Sequence, residues 1–107
     1  MKTLLFTALT SGGRAFDVNF PLHPQTRSAE AVSEMTTGLL ETLSHQVEAR
    51  QDVSDGDVLQ ALAMTLAVRA RMVDAADGHA TLALVNELVK AAHQAAQEAT
   101  AYEAARA

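Results

Sequence analysis

Few side chains in this sequence stand at spacings that do chemistry. Glu34, Glu41, His45 and Glu48 follow helical steps and project along one face, and an array of carboxylates with an imidazole suits Zn, Mn or Fe. The same stripe lies opposite the apolar positions of its segment, where no cavity would exclude water, and it lacks the Glu-x-x-His pairs of di-iron bundles. A solvated acidic face is therefore the expectation, with no metal. The run Asp52-Val53-Ser54-Asp55-Gly56-Asp57 is oxygen-rich like a calcium loop, but Gly stands fifth rather than sixth and the twelfth residue is Ala63 rather than Glu. His23, His45, His79 and His93 are scattered, a Gly-x-Ser-x-Gly elbow is absent, and Cys is absent altogether. Gly12-Gly13 lacks the spacing and the Lys of a phosphate-binding loop. No catalytic residues and no cofactor are expected.

Arg69 is the anomaly. It falls between Leu62, Leu66 and Val73 on an apolar stripe, where a charge needs a partner or an exit. In the structural account its stem packs and its guanidinium snorkels out or pairs with an acid such as Glu87. In the functional account Arg69, with Arg71 and with Thr65 one turn earlier, holds a carboxylate or phosphate in a cleft between helices.

The elements that would position these residues follow from periodicity. Residues 1–22 read as a β-hairpin on a two-residue Gly12-Gly13 turn, which sets Ser11 opposite Arg14, Leu9 opposite Phe16, Thr7 opposite Val18 and Leu5 opposite Phe20. Pro21 and Pro24 close the second strand. From Ser28 the period turns helical: Val32, Met35, Leu39, Leu43 and Val47 define an amphipathic helix over 28–50, with Gly38 inside it as a site of close packing. Ser54 and Asp57 form a short capping box that opens a helix over 55–76. This second helix carries Val58, Leu59, Leu62, Leu66 and Val73 on one side and Met64, Val68 and Met72 on others, so it is apolar nearly all round. Asp77-Gly78 reads as a cap and turn before a third helix over 80–105, whose Ala-rich end would let another helix approach closely.

Length and composition bound the rest. A chain of 107 residues fits one domain, and its 22 alanines leave only a modest set of large apolar side chains for a core. The net charge of −5 and the presence of just two lysines argue against nucleic acid. The acidity concentrates in residues 28–60. The apolar run Leu4–Leu9 is too short for a membrane span, and a cytoplasmic protein is expected. These features predict an α+β fold, mainly α, in which an N-terminal hairpin precedes three helices. The middle helix has more apolar surface than one short partner helix covers and the hairpin has two free edges, so a homo-oligomer, simplest as a homodimer, is expected through the hairpin edge or through the second and third helices, with Met64, Val68, Met72, Phe16 and Val18 at its interface. The function that follows is a non-enzymatic protein-interaction or regulatory module; its alternative is a small anion-binding or enzymatic protein with a pocket around Arg69.

Overall fold

The computed structural model describes residues 2–10, 12–73 and 78–103. They form two strands, β1 (Thr3–Leu9) and β2 (Arg14–Pro21), three helices, α1 (Ala29–Glu48), α2 (Asp55–Arg71) and α3 (Gly78–Glu98), and a short last strand, β3 (Ala101–Glu103). The sheet is antiparallel in the order β1-β2-β3. Residue contacts divide the chain into two units: Met1–Ser33 with Asn86–Ala107, which holds the sheet, and Glu34–Val85, which holds α2.

The hairpin forms in a register one residue away from the expected one. Leu9 pairs with Ala15, Ala8 with Phe16, Phe6 with Val18 and Leu4 with Phe20. The cause is the turn. Thr10 N–H donates to Arg14 C=O at 2.8 Å, Gly13 N–H donates to Thr10 C=O at 3.1 Å, and Gly13 alone among the described residues adopts a positive φ, of 80°. The connection is thus a three-residue loop ending in a left-handed glycine, a common hairpin solution beside the two-residue turn. A shift of one residue in a strand moves every side chain to the other face. Here it gathers Leu4, Phe6 and Ala8 with Phe16, Val18 and Phe20, and the Phe6 and Phe20 rings lie 6.5 Å apart. Leu5 and Leu9, expected on that face, lie on the opposite one and are 60 % and 72 % exposed.

The core of the described residues sits in β2. Val18 is 3 % and Ala15 is 2 % exposed, on opposite faces of the central strand. Ala15 lies between Leu9 of β1 and Tyr102 of β3, flanking residues large enough to cover a methyl group. No helix contributes a buried residue.

At the helix ends the local chemistry is plain. Ser28 Oγ accepts from Ala31 N–H at 3.1 Å and starts α1. The capping box of α2 forms as expected: Ser54 Oγ accepts from Asp57 N–H at 3.1 Å, and Asp57 Oδ2 accepts from Ser54 N–H at 3.0 Å. The second helix stops at Arg71, with Met72 as its C-cap, short of the expected residue 76; residues 74–77 lie outside the described residues, and Gly78, expected in the turn, is the first residue of α3. Two further expectations need correction. The third helix does not run to 105 but ends at Glu98, because Ala101–Glu103 pair with Arg14–Phe16 and take up the free edge of β2. Gly38 is no site of close packing within the chain, since a Cβ there would meet nothing within 4 Å.

Candidate functional site

The middle helix is where sequence and structure meet most directly. A helix earns its place in a domain by laying an apolar stripe on something, yet every described side chain of α2 apart from Val58 and Ala70 is exposed. Leu59 is 66 %, Met64 59 %, Val68 62 % and Met72 67 % exposed. Monomers normally scatter such residues singly, and contiguous sets mark interaction surfaces. Leu62 and Leu66 add to the same helix, and Leu39 and Met35 of α1 are similarly uncovered. Of the interface residues expected from sequence, then, Met64, Val68 and Met72 are open. Val18 is not: the hairpin register turns it into the chain's own core, and Phe16 beside it is half-buried.

The residues considered for anion binding all stand at exposed positions of α2. Arg69 and Arg71 are exposed on α2 and make no ion pair among the described residues. Thr65 uses its hydroxyl on the C=O of Ala61 at 2.7 Å, a bond within its own helix. Glu87, the acid considered for Arg69, instead accepts from His23 Nε2 at 2.9 Å. Gln25 N–H donates to Nδ1 of the same ring at 3.1 Å, so the ring proton sits on Nε2 and points at the carboxylate. This contact ties the loop after β2 to α3.

A cleft of about 320 Å³ lies elsewhere, at the elbow between α1 and α2. Leu43, Val47, Val53 and Val58 give it an apolar lining, and Arg50, Asp52 and Asp57 bring charge. Asp57 is committed to the cap of α2. Val53 and Val58 occupy the residue before the cap and the fourth helical position, which is the hydrophobic-staple pair that fixes the entry angle of a helix. Sequence reasoning noted the cap and missed the staple, although Val53-Ser54 followed by Asp57-Val58 carries its signal. The cleft therefore lies at the start of α2, beside its cap and its staple positions.

The acidic stripe of α1 (Glu34, Glu41, His45 and Glu48) is exposed along its length. Among the described residues no group of three His, Asp or Glu side chains stands close enough to hold a metal ion. No helix of the described residues is long and apolar enough to cross a membrane. Comparison of the chain with protein-family models, with curated proteins and with solved structures gives no match.

Proposed function

We propose that this chain is a non-enzymatic protein-interaction module that works as a small homo-oligomer, with α2 as its principal contact surface. One observation carries the reading: a helix of 17 residues, apolar nearly all round, has no buried residue in the single chain. Association through α2 also leaves the acidic stripe of α1 in water, where its charges are solvated and available to a partner with a basic surface.

The test is sedimentation equilibrium of the pure chain over the micromolar range. The expected result is a mass that is a multiple of 11.3 kDa. Val68→Glu, which puts a charge on the exposed stripe at no cost to the isolated chain, should shift the species toward the single-chain mass. A wild-type chain that stays at the single-chain mass throughout overturns the proposal.

A further inference from the structure

We propose that the outer edge of β1 is a second contact surface, pairing antiparallel with β1 of another copy in the register that sets Phe6 opposite its own symmetry mate. The inference deepens the self-association reading and rests on it, but it uses a surface remote in sequence from α2.

The backbone fixes which groups are free. Leu22 N–H donates to Lys2 C=O at 2.8 Å at one end of β1, and Thr10 N–H donates to Arg14 C=O at the other. Antiparallel bonding alternates by two residues, so the even positions of β1 bond to β2. The odd positions, Thr3, Leu5, Thr7 and Leu9, therefore aim their N–H and C=O groups away from β2, at an edge that no other strand of the described sheet occupies. Natural sheets blunt such edges with charge, proline or a bulge. The far side of β2 shows these devices: β3 covers Arg14–Phe16, and beyond it Asp17 and Pro21 stand at outward positions, Pro21 with no N–H to offer. Thr3–Leu9 has no charged residue, no proline and a continuous seven-residue ladder to β2.

The occupant that fits is a second copy. A two-fold axis through Phe6 places Thr3 against Leu9 and Leu5 against Thr7, so that every outward odd position in each copy meets another outward odd position, making about eight backbone hydrogen bonds. The even positions then bring Leu4 against Ala8 and Phe6 against Phe6, which carries the half-buried apolar face of one sheet into the next. Charge favours this edge over the acidic stretch 28–60, where two copies of a chain of net charge −5 would repel.

Because the chain contains no cysteine, single substitutions report the register cleanly. At a non-hydrogen-bonded pair the Cα atoms lie about 4.5 Å apart, within disulfide reach. Phe6→Cys should cross-link under mild oxidation at least tenfold faster than Leu9→Cys, whose mates would be about 20 Å apart. Should Phe6→Cys fail to fold, as judged by far-UV circular dichroism, mixing Leu5→Cys with Thr7→Cys should give the mixed cross-linked dimer. Leu5→Pro removes one outward N–H while keeping every bond to β2, and it should raise the dissociation constant in sedimentation at least tenfold. Equal cross-linking at positions 6 and 9, no mixed dimer, or an unchanged constant in Leu5→Pro overturns the strand pairing. If Leu5→Pro leaves association intact while Val68→Glu abolishes it, the α2 reading stands and this one falls; a monomeric wild type overturns both.

Discussion

Asp17 is the residue on which the sheet's third strand turns. Its Oδ1 accepts from Thr7 Oγ1 at 2.7 Å and from Tyr102 Oη at 3.1 Å, so one exposed carboxylate oxygen joins β1, β2 and β3. The hydrogen bond to Asp17, then a little desolvation and the carboxylate's charge, hold the Tyr102 phenol above its ordinary value of 10.0. A group whose pKa is raised by folding contributes its stabilisation in full below the unfolded value and loses it as pH rises through the folded one. The contact is accordingly intact at neutral pH and is lost only in alkali. Tyr102 is the chain's single tyrosine, so tyrosinate absorbance reports it alone. Its titration midpoint should lie above 10.0 and fall back toward that value in Asp17→Asn; an unshifted wild-type midpoint would show that the latch does not persist in solution. None of this was legible beforehand. Asp17 and Tyr102 stand 85 residues apart, and no local spacing relates them.

At the scale of elements, legibility followed how local the determining chemistry is. The start of α2 was readable because both halves of its capping box lie within four consecutive residues. The hairpin was readable as a hairpin, but its register hung on whether Gly12-Gly13 is the whole turn or the end of a three-residue loop, and apolar alternation in Thr3–Leu9 fits both. The end of α3 was misread because the Ala-rich stretch favours helix while the competing attraction, the free edge of β2, is supplied from the other end of the chain. Two substitutions in helices should act in opposite directions in urea unfolding. Ser54→Ala removes a satisfied cap and should cost about 1 kcal/mol. Gly38→Ala adds a methyl where the chain has nothing within 4 Å and should gain about 1 kcal/mol from helix propensity and reduced unfolded-state freedom. A loss of stability in Gly38→Ala would mean that another copy's backbone comes close to α1 at that point.

For the whole molecule the question is what offsets the ordering of three helices. Fixing each residue costs roughly 1–2 kcal/mol in backbone entropy, and a helix the length of α2 is marginal in water by itself. Burial must supply the difference, yet among the described residues the only buried apolar side chains are Ala15 and Val18, both in the sheet. Capping and i,i+4 bonds such as Thr65 to Ala61 add increments too small to replace a core. The helices are therefore expected to hold their structure through contacts with other copies, and folding and association should be one event. Mass action gives that statement a measurable form, because a species whose folded state is a multimer becomes more stable as concentration rises. For a folded dimer of chains this size, a tenfold increase in concentration should raise the melting temperature by about 3 °C. The same scan on Val68→Glu should show a lower midpoint at every concentration, since the substitution weakens association while leaving the isolated chain's contacts untouched. A wild-type midpoint that does not move with concentration would mean that the exposed stripe of α2 is held by the chain alone, and the assembly reading would fail at its thermodynamic root.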